Sequence, residues 1–85
     1  MITSRLAVLI AEDETASRAR LRQLIARHAD LALAAECASG PETSAALRLI
    51  RPDIALLDIQ MPGCDGFAAL RRAGCEDTAV IFVTA

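Results

Sequence analysis

Four residues of this chain combine acid or hydroxyl chemistry with a shared kind of position. Glu12 and Asp13 follow the apolar run 6–10, Asp58 follows the apolar run 54–57, and Thr84 follows the apolar run 80–83. Carboxylates from two strands brought to one sheet edge repel each other, and a divalent cation relieves that repulsion most simply. An all-oxygen ligand set favours Mg²⁺ or a related hard ion. With such an ion nearby, Asp58 has the chemistry of a nucleophile toward phosphorus, its acidic neighbours hold the ion, and the Thr84 hydroxyl falls near the oxygens of a transferred group. Asp13 and Asp58 are expected within metal-bridging distance, with Glu12 slightly further out.

The elements that must position these groups alternate along the chain. Residues 6–10 read as a strand buried on both faces. From Thr15, a plausible N-cap, the period becomes helical: Leu21, Leu24, Ile25 and His28 share a face and predict a helix to about His28 or Ala29. Residues 33–38 form a weaker strand with Glu36 inside it, as suits a sheet edge. Ser39 or Gly40 then caps a second helix with Pro41 in its first turn, Ala46, Leu49 and Ile50 as its buried face, and Arg51-Pro52 as its end. Residues 54–57 and 80–83 predict the third and fourth strands. Between them, Pro62, Gly63 and Gly66 mark a loop, and Phe67 and Leu70 begin a short helical pattern. Alternating strands and helices predict a parallel α/β sheet with right-handed crossovers, whose ligands sit beyond the carboxyl ends of the strands. All four reactive residues fall there.

Composition sets the frame. Eighty-five residues, 54% of them hydrophobic and 2% aromatic, allow one small domain with an aliphatic core. A net charge of −2 argues against nucleic-acid binding by this segment, and the arginines between Arg18 and Arg27 read as a solvated helix face. Cys37, Cys64 and Cys75 have neither a disulfide framework nor a metal-ligand spacing, which fits reduced thiols in the cytoplasm. No run approaches the roughly 18 apolar residues of a membrane span. His28 near a helix end reads as a cation suited to the dipole, Cys64 as an ordinary loop thiol, and Gly63 and Gly66 as turn residues. Taken alone, Glu12 and Asp13 would read as negative charge at a helix N-terminus. Capping explains neither Asp58 nor Thr84.

Ala11-Glu12-Asp13-Glu14, Leu57-Asp58-Ile59-Gln60-Met61-Pro62 continuing through Gly66, and Val83-Thr84-Ala85 resemble, in order, the acidic pair, phosphoacceptor loop and switch threonine of bacterial response-regulator receiver domains. The resemblance spans the chain. It implies a flavodoxin-like, doubly wound parallel sheet of order 2-1-3-4-5 in the complete domain. It implies Asp58 as phosphoacceptor and metal ligand, Asp13 as a direct Mg²⁺ ligand, Glu12 acting through water, and the Gln60 backbone carbonyl completing the protein ligands. Met61 and Pro62 shape the loop, Thr84 turns toward the phosphoryl group on activation, and the small Ala85 leaves access to it. A histidine kinase is the implied donor, and the role is signalling rather than enzymatic. Residues 57–67 and 80–85 look most like receivers joined to a LytTR-type DNA-binding output domain. DNA contact is expected only through such a domain, which this sequence does not contain.

Complete members of the family continue through a further helix, a fifth strand ending in a lysine, and a last helix, whereas all nine basic residues here are arginine. Residues 1–85 therefore read as the N-terminal part of a receiver, truncated after the fourth strand. An apolar fourth strand at an open edge is expected to favour self-association. Two rival readings remain. An aspartyl-nucleophile phosphatase would usually place a second carboxylate where Gln60 stands, and a pseudo-receiver would bind partners without being phosphorylated.

Overall fold

Apolar side chains on both parities of a strand can be buried only when both sheet faces are covered. In the computed structural model, which describes residues 5–58, 74 and 77–83, β1 (Leu6–Ala11) is built in this way. Val8 and Ile10 pack with Ile25 of α1 (Thr15–Ala26) on one face, and Leu9 and Ala11 with Leu47 of α2 (Gly40–Ile50) on the other. β3 (Ile54–Asp58) repeats the alternation, with Ala55 and Leu57 on the α2 side and Ile54 and Leu56 on the α1 side.

With β2 (Leu31–Cys37) and β4 (Ala79–Val83), the described strands form a parallel sheet of order β2-β1-β3-β4. This is the flavodoxin-like order expected for the first four strands. β2 lies at an edge with Glu36 exposed inside it, as expected, and begins earlier than predicted, at Leu31. The helix predicted from Phe67 and Leu70, and the loop carrying Pro62, Gly63, Cys64 and Gly66, lie outside the described residues. No described helix is long and apolar enough to cross a membrane.

The opposite end of the sheet sets its alignment. Asp53 donates its N–H to the Ala7 carbonyl at 2.9 Å and accepts the Ala7 N–H on its carboxylate at 2.7 Å, while its own carbonyl accepts the Ala79 N–H at 2.9 Å. One residue thus pins β3 against both neighbours. The turn before it is made by Arg51, whose φ of 49° and ψ of 64° end α2 in the left-handed region, followed by the buried Pro52. That agrees with the predicted stop, because proline disfavours helical geometry at the residue before it.

Three local expectations change. Glu14, not Thr15, occupies the N-cap of α1 and makes no side-chain cap bond; its carboxylate accepts the Ser17 hydroxyl at 2.7 Å instead. α1 ends at Ala26, so His28 lies past it and is exposed, and Leu24 is 45% exposed. The buried stripe of α2 is Gly40, Thr43, Ser44 and Leu47, with the predicted Ala46 packed against the same core; Ile50 is half-buried and Leu49 is 86% exposed. Thr43 can be buried because its hydroxyl donates to the Ser39 carbonyl at 2.7 Å, whereas the buried Ser44 Oγ has no hydrogen-bond partner among the described residues. The N-terminus of α2 is also well capped: Ser39 accepts the Glu42 N–H, and Glu42 accepts the Ala38 N–H.

This frame for α2 is testable by truncation. Leu47→Ala should destabilise by about 2–5 kcal/mol, the usual cost of removing a fully buried leucine. Leu49→Ala should stay within about 0.5 kcal/mol. Denaturant unfolding of both variants checks the assignment, and equal losses would place the buried stripe wrongly.

Candidate functional site

The register of the two central strands decides which acids meet. Ala11 of β1 pairs with Leu57 of β3, so the next residues, Glu12 and Asp58, emerge side by side at the C-terminal edge. They share the parity of Ile10 and Leu56, on the α1 side. Asp13 follows at once in the turn to α1. Each of Glu12, Asp13 and Asp58 contributes a carboxylate oxygen to a cluster in which all the oxygens lie within 4.8 Å of one another. Asp13 is exposed and Asp58 half-buried, whereas Glu12, expected slightly further out, is only 8% exposed and reaches the same cluster.

Burial among like charges must be relieved. The Glu12 carboxyl is pushed up to about 7, first by burial, then by a hydrogen bond to the Asp58 carboxyl, then by the negative charges of Asp58, Asp13 and Glu14. A proton shared between Glu12 and Asp58 is one form of relief. A hard cation is the other, since three carboxylates this close are an all-oxygen donor set of the kind Mg²⁺ takes. Gln60 and Thr84, predicted to join the site, lie outside the described residues.

The main chain around Glu12 is held from two directions. Its N–H donates to the Cys37 carbonyl at the end of β2 at 2.9 Å, and its carbonyl accepts from Nη1 of Arg18 at 2.9 Å. Arg18 Nε lies 3.8 Å from Glu36 Oε1, and Arg22 Nη1 donates to the same oxygen at 2.9 Å. Arg18, 21% exposed, is thus drawn off the solvated face that its spacing suggested, whereas Arg22 stays on that face, 49% exposed, while bonding Glu36. The overlooked signal is positional: Arg18 falls in the first turn of α1, where a cation opposes the helix dipole. Cys37 is a free, buried thiol whose pKa is raised chiefly by burial, which suits a core residue rather than a reactive one.

Comparison with known proteins adds to this geometry. The family model described as "Response regulator receiver domain" matches residues 8–85. The transcriptional regulatory protein BtsR of Salmonella typhi is 37% identical over 79 residues, covering 92% of this chain and 33% of that protein. The positive alginate biosynthesis regulatory protein of Pseudomonas aeruginosa is 40% identical over 82 residues, with the same coverage of each. The chain thus spans about a third of the length of these relatives. Among solved structures, the response regulator domain of Thermotoga maritima CheB superposes with a TM-score of 0.87 at 27% identity, over 94% of this chain and 60% of that one.

The Glu12 proton makes stability depend on pH in a definite direction. The folded chain retains this proton to about pH 7, whereas the unfolded chain releases it near the ordinary 4.5. Between those values the folded state binds more protons, so the contribution from Glu12 is complete below about 4.5 and is lost as pH rises through 7. In metal-free buffer, wild-type stability should fall relative to Glu12→Gln across that window. Denaturant midpoints of the two proteins over a pH series give the measurement, and parallel profiles would contradict proton retention by Glu12.

Proposed function

The chain belongs to the response regulator receiver domains, and from that premise we propose that residues 1–85 are the N-terminal part of a receiver whose phosphoacceptor is Asp58. The observation that carries this reading is the convergence of the Glu12, Asp13 and Asp58 carboxylates at the C-terminal edge of the sheet. Asp13 and Asp58 would hold Mg²⁺ directly, Glu12 through water, and Gln60 through its backbone carbonyl. Bound there, the ion offsets the negative charge of the site and of an incoming phosphoryl group.

The remaining chemistry belongs to the chain's own residues. A carboxylate oxygen of Asp58 forms a bond to phosphorus as the bond from phosphorus to the donor breaks, and the donor departs with that electron pair. For a histidine kinase, the departing atom is the ring nitrogen of its phosphohistidine. Asp58 suits this role because a buried, registered strand fixes its backbone while its half-exposed carboxylate stays within reach of a donor. Thr84 would then donate its hydroxyl to the phosphoryl oxygens. The result is a switch rather than turnover of a substrate. BtsR and the alginate regulator are named as regulators in which the matched region is a third of the length. By analogy, the output here is transcriptional, exerted on DNA by a part outside residues 1–85, in the cytoplasm where a kinase donor is available.

Exposing the full-length polypeptide to Mg²⁺ and acetyl phosphate should yield a covalent phosphoryl adduct, detected by intact-mass spectrometry. Asp58→Asn should abolish the adduct while leaving the circular dichroism spectrum unchanged, because an amide is a poor nucleophile. Asp13→Asn removes a direct ligand and should weaken Mg²⁺ binding by more than the about 10–100-fold typical of outer-shell partners. An adduct that persists in Asp58→Asn would move the acceptor elsewhere. A wild-type protein that binds Mg²⁺ but forms no adduct would be an unphosphorylated interaction module.

A further inference from the structure

Residues 12–14 turn the chain from β1 into α1 and carry three adjacent carboxylates, so the path of this short turn sets where the acidic cluster points. We infer that Arg18 is the positioning residue of this turn, acting through the Glu12 carbonyl and itself anchored on the edge strand by Glu36; this rests on the reading of the acidic cluster as a cation site.

The geometry is that of a clamp. Glu12 is the first residue past β1, and its N–H is tied to the Cys37 carbonyl. Its C=O opens the peptide that leads into Asp13, and the Arg18 guanidinium fixes that group at 2.9 Å. The orientation of this peptide determines the direction in which Asp13 leaves the backbone. Arg18 is in turn limited in its own motion. Its side chain is 21% exposed, its Nε faces Glu36 at 3.8 Å, and Glu36 is also engaged by Arg22 at 2.9 Å. The planar fork presents donors on different edges, so one arginine can serve a carbonyl and a carboxylate together; a lysine ammonium lacks that fixed geometry. Helix stability alone would not favour a cation here, since in the first turn it works against the dipole.

Charge and positioning make opposite predictions for Mg²⁺ binding. If Arg18 acted only as a nearby positive charge, its removal would tighten binding of a dication. If it positions the turn, removal weakens binding, by about 10-fold at the low end of what outer-shell partners of metal ligands contribute. Arg18→Lys preserves the charge without the fork and should recover only part of the loss. Glu36→Gln leaves Arg18 in place but loosens its anchor, and should cause a smaller loss in the same direction.

The test is isothermal titration of Mg²⁺ into the full-length wild-type, Arg18→Ala, Arg18→Lys and Glu36→Gln proteins at a temperature where all are folded. It is paired with the carbonyl ¹³C resonance of Glu12 in the metal-free proteins. Weaker binding in the order alanine, lysine, wild type, together with a displaced Glu12 carbonyl in Arg18→Ala, supports the inference. Unchanged or tighter binding in Arg18→Ala, or an unmoved Glu12 carbonyl, overturns it. Should Arg18→Ala fail to fold, Glu36→Gln decides by the same two readouts. Asp13→Asn is titrated alongside: if it binds Mg²⁺ as wild type does, the cation reading itself is at fault, and the carbonyl resonance alone then judges Arg18.

Discussion

Like charges forced together at one end of the sheet are the constraint from which the rest of this structure follows. Parallel pairing of β1 with β3 aligns Ala11 with Leu57, so Glu12 and Asp58 leave adjacent strands at the same level. Neither strand can shift to ease the repulsion, because both parities of each are committed to packing against helices on opposite faces. A slip of one residue would exchange the two faces and drive the α1-facing set against α2. The acids are therefore held close by apolar burial elsewhere, and the relief must be chemical: a proton, a cation, or both in turn.

That alignment is enforced at the far end of the same strands. Asp53 bonds the Ala7 main chain twice and receives the Ala79 N–H, so a side chain at the N-terminal edge fixes the level at which Asp58 emerges at the C-terminal edge. Arg51 and Pro52 bring Asp53 to that place by ending α2 abruptly in a left-handed residue. Such a conformation costs a non-glycine residue about 1–2 kcal/mol. The bonds it makes available connect β3 to both neighbours, which is where the precision of the acidic cluster originates.

How much of this could be read in advance depended on how local each signal was. The four strands were legible because short apolar runs closed by acids or turn residues are contained in a few letters, and the acidic cluster was legible because each carboxylate stands directly after such a run. The buried stripe of α2 was not. Apolarity singled out Ala46, which does pack on the core, but also the exposed Leu49, and it passed over Gly40, Thr43, Ser44 and Leu47. A threonine that satisfies its own hydroxyl within the helix can be buried as an apolar residue would be, and composition alone cannot reveal that bond. Asp53 and Arg18 were missed for a related reason. Their partners, Ala7 and Glu12, become neighbours only through the tertiary fold, so Asp53 carried no local signal and Arg18, an arginine among arginines, read as solvated charge.

The placement of Arg18 bears on the electrostatics of the acidic cluster. Its guanidinium is directed to the Glu12 main-chain carbonyl and toward Glu36. Burial, the hydrogen bond to Asp58 and the charges of Asp58, Asp13 and Glu14 all raise the pKa of the Glu12 carboxyl. A buried acid set among other acids is costly to keep charged. A folded state of this kind carries an electrostatic cost that a bound cation removes, and a ligand that binds only the folded form adds its binding free energy to stability. Under the proposed reading, ion binding, proton release from Glu12 and stability become one linked equilibrium, driven by the repulsion among Glu12, Asp13 and Asp58, with its geometry set by the turn that Arg18 holds.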